Sequence, residues 1–203
     1  MSSKQHWENI YTTTLPNEVS WTETEPKTSL HLIAKFNLPK DAKIIDIGGG
    51  DSHLVDFLLH AGYTNITVLD IAKSAIDRAK IRLGKNAHSV TWIVSNILDF
   101  EPSISYDLWH DRAAFHFLTE QIDIDTYLDL VYANTNNIIL GTFSTDGPLK
   151  CSGLQITQYD EPKIQDTFGD PFHLLDYFTT DHSTPFNTHQ SFSFARLSRK
   201  NDL

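Results

Sequence analysis

The chain has 203 residues, enough for one domain with a substantial core and too few for two full ones. With 16 basic against 26 acidic residues, its formal charge of −10 argues against nucleic acid or an anionic membrane surface as partner, since both reward clustered Lys and Arg. A single cysteine, Cys151, excludes an intramolecular disulfide and suits a reducing compartment. The opening run Met1 to Glu8 is too polar for a signal peptide, and no apolar stretch reaches membrane-spanning length, so the expectation is a cytoplasmic protein.

Taken in chain order, residues 1–41 set Trp7, Tyr11 and Trp21 among polar residues and then turn helical from about Thr28. Leu30, Ile33 and Ala34 recur at helical spacing there, and Pro39 closes the segment. Two readings of this leading segment stand: it packs on the sheet, or it folds over a pocket as a lid. Lys43 to Gly50 then reads as a buried strand ending in an acid and three glycines. A helix follows with Leu54, Val55, Leu58 and Leu59 on one side, ending near Gly62.

Asn65 to Asp70 is a second strand closed by an acid, and Ala72 to Leu83 a second helix with Gly84 past its end. Val90 to Val94, Tyr106 to His110 and Ile138 to Phe143 read as further strands, with a helix over Thr119 to Ala133. Strands alternating with helices predict a parallel sheet with right-handed crossovers. The end differs, because Phe172 to Phe178 and Ser191 to Leu197 have no helix between them, so one strand there is expected to be antiparallel.

The run Asp46-Ile47-Gly48-Gly49-Gly50 after the first strand is where a ligand can approach bare backbone. Asp70, ending the neighbouring strand, is placed to accept hydrogen bonds from ribose hydroxyls. Read as a dinucleotide fingerprint, the pattern puts His53 where close packing needs a third glycine and the acidic Asp51 where a pyrophosphate would bring negative charge. Both features weaken a nicotinamide reading. His110, Asp111 and Arg112 sit where the fourth strand ends, the edge at which α/β sheets bind ligands. His110 reads equally as a base, a pocket wall or a structural histidine, and Arg112 as an anion-orienting group or a partner of a nearby acid. His116 reads as packing and Cys151 as a small loop residue. The scattered histidines give no metal site.

The ordered series resembles the class I S-adenosylmethionine-dependent methyltransferases. Asp46 to Gly50 is similar to their first motif, Asp/Glu-x-Gly-x-Gly, with Ser52 in place of the usual further glycine, and Val68-Leu69-Asp70 is similar to their ribose-binding acid. Ser95-Asn96-Ile97 resembles the segment after strand three, with Asn where the family usually has Asp for the adenine amino group. Tyr106 to Asp111 resembles the fourth-strand segment that faces the reactive methyl.

A narrower likeness, Asp111 to Thr119 with Gly141 to Leu154, is to a bacterial subgroup of unassigned substrate. His6-Trp7-Glu8-x-x-Tyr11 with Val19-Ser20-Trp21 is similar to the start of thiopurine, thiol and halide methyltransferases and of protein-lysine methyltransferases. The resemblance implies a three-layer α/β sandwich with a Rossmann-like, seven-stranded, mostly parallel sheet and a C-terminal antiparallel strand. It implies one domain, with 1–41 as an arm or lid and 42–203 as the cofactor-binding core.

The cofactor it implies is S-adenosyl-L-methionine, held by Tyr11, Trp21, Asp46, Gly48, Gly49, Gly50, Asp70, Ile71, Asn96, Ile97 and His110. His110, Asp111 and Arg112 become the candidate catalytic residues, and Tyr159, His182, Thr184 and Phe186 an expected acceptor wall. The expected activity is methyl transfer to a small-molecule nucleophile, a thiol among the candidates. Lysine of a protein substrate, and a non-catalytic binding module, are the alternatives.

Overall fold

A computed structural model describes residues 3–200. Seven strands make one sheet: β1 (Lys43–Ile47), β2 (Asn65–Asp70), β3 (Val90–Val94), β4 (Leu108–Arg112), β5 (Asn137–Phe143), β8 (Phe172–Ser183) and β9 (His189–Arg199). Their order is β3-β2-β1-β4-β5-β9-β8. The first five run parallel, and β9 lies antiparallel to both β5 and β8. The two-residue strands β6 (Lys150–Cys151) and β7 (Leu154–Gln155) pair apart from this sheet. Helices are α1 (Ser3–Thr13), α2 (Lys27–Ala34), α3 (Leu54–His60), α4 (Lys73–Leu83), α5 (Gln121–Asn134) and α6 (Glu161–Phe168).

Helices cover both faces, which is why β1, β2, β4 and β5 are buried along nearly their whole length instead of alternating. In β1 only Lys43 is exposed, and the four residues after it are buried. One face packs Leu32, Ile44, Leu54, Leu58, Ile66, Val68, Ile139 and Phe192 together. The opposite face packs Ile45, Ile47, Leu69, Trp109, Phe115, Tyr127, Ile138, Leu140 and Phe168. Among the described residues no helix is long and apolar enough to cross a membrane.

The chain places β2 and β3 on one side of β1 and β4 on the other, so a crevice opens at the carboxyl ends of β1 and β4. Register fixes what lines it. Asp46 pairs across to Val68 on one side and His110 on the other.

Several expectations need amending. Residues 3–13 form a helix that the aromatic spacing alone did not announce, and 161–168 form another. The latter is opened by Asp160, whose side chain caps Lys163 N at 3.0 Å. Helix α2 ends at Ala34, well before Pro39. Strand β4 begins at Leu108, with Tyr106 making only an isolated bridge to Thr135. The terminal hairpin is longer at both strands than its apolar stretches, because backbone pairing continues past the last buried side chain.

Candidate cofactor and acceptor site

A cavity of about 610 Å³ lies over the carboxyl ends of β1, β2 and β4. Of the residues singled out in the sequence, Tyr11, Trp21, Asp46, Gly48, Gly49, Asp70, Ile71, Asn96, Ile97, His110 and Arg112 line it.

At one end stands Asp70. Its Oδ1 accepts a 2.7 Å hydrogen bond from Ala72 N, and the Gly50 N–H also donates to the carboxylate. Burial raises its pKa to about 7, with the charges of Asp51 and Asp46 adding to the effect. A carboxylate held that reluctantly has lone pairs to offer a donor arriving in the cavity.

The glycine turn is shaped by the same acids. A Cβ on Gly49 would fall 2.6 Å from Asp46 Oδ2. One on Gly50, whose φ is +44°, would fall 2.9 Å from Asp70 Oδ2 and 3.0 Å from Tyr11 Oη. Gly50 therefore shapes the site without lining it. Asn96 caps the short turn after β3, its Oδ1 accepting from Leu98 N at 3.3 Å, and one lone pair remains for a ligand.

The N-terminal residues close the opposite wall. Glu8 on α1 accepts from Lys73 N at 2.6 Å and Ser74 N at 3.1 Å, capping α4 from a distance of 65 residues in sequence. Arg78 of α4 reaches back to Thr14 O and to Asp51. This docking sets Trp7, Tyr11, Trp21 and Phe117 edge to face along the cavity, with Trp7 5.8 Å from Trp21 and 5.1 Å from Phe117 between ring centroids. Burial, then the charges of Asp70 and Asp51, holds the Tyr11 phenol well above its usual range.

The far end, beyond Gly48, is polar. His110 sits between two partners, Nδ1 2.7 Å from Asp46 Oδ1 and Nε2 2.8 Å from Ser29 Oγ. Arg112 pairs with Glu23 at 3.3 Å and donates to Trp21 O at 3.1 Å. Burial pushes the Glu23 carboxyl up, but the hydrogen bond from His182 and the charges of Arg112 and His182 prevail and lower it. Backbone carbonyls of Ser20 and Glu23 are held by His182 and His53, so residues 20–23 are fastened from three elements. Ala113 follows β4 in a left-handed conformation, φ 66°, directly at the cavity.

Other expectations fare differently. Asp111 does not line the cavity. Adjacent residues of a strand face opposite sides, so while His110 faces the cavity Asp111 enters the far core. There it accepts from Ala114 N, Phe115 N and the Tyr127 hydroxyl at 3.1, 3.0 and 2.8 Å. Tyr159, His182, Thr184 and Phe186 do not line the cavity either: Tyr159 is in the far core, and His182 acts through Glu23. Cys151, in contrast, does line it, and burial pushes its thiol up to about 11. His116 is fully buried, with its pKa lowered to about 3 by burial and then by Arg112, as a packing residue would be.

Glu23, Ser29, Arg78 and Phe117 were not singled out. Ser29 in a helical first turn carries no local signal beyond capping, and Glu23 none beyond charge.

A glycine turn, a buried acid one strand over and a crevice at the switch in strand order define a Rossmann-like α/β protein. Residues 45–136 match a family model described as a methyltransferase domain. The chain is 32% identical over 143 residues to malonyl-[acyl-carrier protein] O-methyltransferase of Anoxybacillus flavithermus, a match covering 67% of this chain and 54% of that one. It is 24% identical over 196 residues to EEF1A lysine methyltransferase 2 of Mus musculus, covering 89% of this chain and 75% of that one. It thus spans about half the length of the first of these relatives. A solved S-adenosylmethionine-dependent methyltransferase from Anabaena variabilis superimposes with a TM-score of 0.74 at 14% identity, covering 98% of this chain and 96% of that one. Residues 45–136 thus carry a methyltransferase domain, and the chain has the fold of the solved S-adenosylmethionine-dependent methyltransferase.

Proposed function

We propose that the protein transfers a methyl group from S-adenosylmethionine to a small-molecule nucleophile, within one domain whose residues up to about 41 serve as the arm over the site. The observation that carries this reading is the buried Asp70 carboxylate facing the cavity across the glycine turn from His110 and Arg112. The residues fit such a cofactor. Asp70 would take the ribose hydroxyls, Ile71, Asn96 and Ile97 the adenine, and the turn at Gly48 to Gly50 with Asp46 the amino-acid end. Tyr11 and Trp21 would cover it.

When bound, the cofactor supplies a sulfonium methyl that is already activated for displacement. The protein's part is then alignment, which supplies roughly 7–11 kcal/mol of a barrier when two reactants are held in line. The apolar wall of Trp7, Trp21 and Phe117 and the mutually neutralised Arg112–Glu23 pair suit a compact acceptor without large net charge, a thiol among them. A protein lysine is the second reading, favoured by the likeness to the mouse lysine methyltransferase over most of the chain.

Calorimetric titration with S-adenosylmethionine, S-adenosylhomocysteine and NAD tests the cofactor. Micromolar binding of the first two without NAD is expected, and the reverse removes the reading. Radiolabelled methyl transfer into a cell lysate, split into protein and small-molecule fractions, separates the two acceptors.

A further inference from the structure

We propose that Ser29, His110 and Asp46 form a proton-accepting chain whose open end, the Ser29 hydroxyl, meets the acceptor, and that the acceptor is an uncharged weak acid that gives its proton to this chain, as a thiol does. The inference deepens the methyl-transfer reading and rests on it. All three side chains line the cavity, and all three residues are at least 97% buried.

A carboxylate only accepts, so Asp46 Oδ1 takes the Nδ1–H of His110 and leaves the Nε2 lone pair facing Ser29 Oγ. The hydroxyl donates to that nitrogen and keeps its own lone pairs for the cavity. This is the order of a relay in which nucleophile-side oxygen, imidazole and orienting acid follow one another. The base comes from β4, its orienter from β1 by strand register, and its outer partner from α2, 81 residues away from it in sequence.

Two neighbouring groups of the cavity do not serve this task. Arg112 is occupied by Glu23, and the Cys151 thiol is too weak an acid to exchange protons near neutrality. A carboxylate acceptor would enter already ionised and need no such device, whereas a neutral weak acid such as a thiol would.

With a thiol as acceptor, the S–H proton passes to Ser29 Oγ as the Ser29 proton passes to Nε2, giving an imidazolium paired with Asp46. The freed sulfur lone pair makes the new S–CH₃ bond. The pair of the broken bond stays with the donor, which leaves as a neutral thioether, and the imidazolium later returns its proton to water.

Two acceptors of similar outline test this. 4-Nitrobenzyl mercaptan is protonated at neutral pH, and 4-nitrothiophenol is ionised. Ser29→Ala should lower kcat for the mercaptan about a hundredfold, within the range of general-base effects, with KM little changed. The ionised thiol should be almost unaffected, and Ser29→Thr should restore the mercaptan rate. Equal losses on both thiols would make Ser29 structural and overturn the relay. Nitrogen NMR of the free wild type should show His110 as the Nδ1–H tautomer; the Nε2–H tautomer overturns it without any turnover being measured. If the wild type binds S-adenosylhomocysteine yet methylates neither thiol, the acceptor class is wrong. If it does not bind that compound, the methyl-transfer reading itself fails, and the relay with it.

Discussion

The two sides of β4 put their polar residues to opposite uses. Asp111 enters the far core and is finished there, its carboxylate taking three donors from Ala114, Phe115 and Tyr127. On the cavity side Asp70 and Ser29 are buried as deeply, yet each keeps an unused lone pair facing open space. Burial raises the pKa of both acids, to about 6 for Asp111 and about 7 for Asp70. The raised value alone therefore does not mark the site. What distinguishes the two is whether the fold itself supplies the partners that desolvation demands. A site in this molecule is a place where burial has been accepted and the hydrogen bonding left incomplete.

Breaking the completed side has the largest expected effect. Asp111→Ala strands two backbone N–H groups and the Tyr127 hydroxyl in the interior, with an expected loss of about 3–5 kcal/mol of stability. Urea unfolding should show the midpoint falling, while S-adenosylhomocysteine binds the remaining folded protein with near wild-type affinity. A selective loss of binding at unchanged stability would place Asp111 in the site after all.

On the incomplete side the effects should reverse. Asp70→Ala removes the proposed ribose acceptor and should weaken cofactor binding by about 1–3 kcal/mol, a factor of roughly ten to a hundred. Calorimetric affinity of the variant measures it, and unchanged affinity would remove Asp70 from the ribose. Since ionised Asp70 is costly in the free protein, stability should not fall in parallel.

The same contrast has a pH signature. The folded pKa of Asp70 lies near 7, above its ordinary value of 3.8, so its contribution to stability is fully present below 3.8 and is lost as pH rises through 7. Asp111 behaves likewise up to about 6. With Asp70 as the proposed ribose acceptor, the hydroxyls would donate to the ionised carboxylate, so binding should strengthen as pH rises and level off above 7. Between pH 6 and 8 the gain should be about tenfold, or ~1.4 kcal/mol. Asp70→Asn should flatten the curve, and a wild-type curve already flat would break the link between this acid and the ligand.

Much of this molecule was legible where chemistry is local. The β1 run with its glycines, the acid closing β2 and the alternation of strands and helices follow from residue type and period, and the structure places them as read. The hairpin return at the end was legible from the absence of a helix between two strand-like runs. What was not legible depends on distance. Ser29 meets His110 across 81 positions, and Glu23 meets Arg112 only because residues 20–23 are fastened over the cavity. Asp111 was misplaced for a simpler reason: three polar residues in a row mark a strand end, but only the register says which of them faces in. Helix α1 escaped because its stripe, Trp7 and Tyr11, gains its apolar partners from outside the helix.

That last point yields the smallest of the expected effects. Helix α1 has no acid in its first turn and no base in its last, so little holds it in place from within. Its anchor is Glu8, which gives both carboxylate oxygens to the opening N–H groups of α4. Hydrogen bonds to Ser74 and Lys73 lower the Glu8 pKa even against burial, which pushes it the other way. Glu8→Gln keeps one acceptor and loses the charge facing the positive end of the helix, so it should cost about 0.5–1 kcal/mol. The loss should fall on the arm and spare the sheet. Hydrogen exchange should quicken in residues 3–13 and leave β1 and β4 unchanged, and Trp7 should become more accessible to a fluorescence quencher. Equal loosening of arm and sheet would mean that the two sides of the cavity are one cooperative unit, and that the arm is no separate lid.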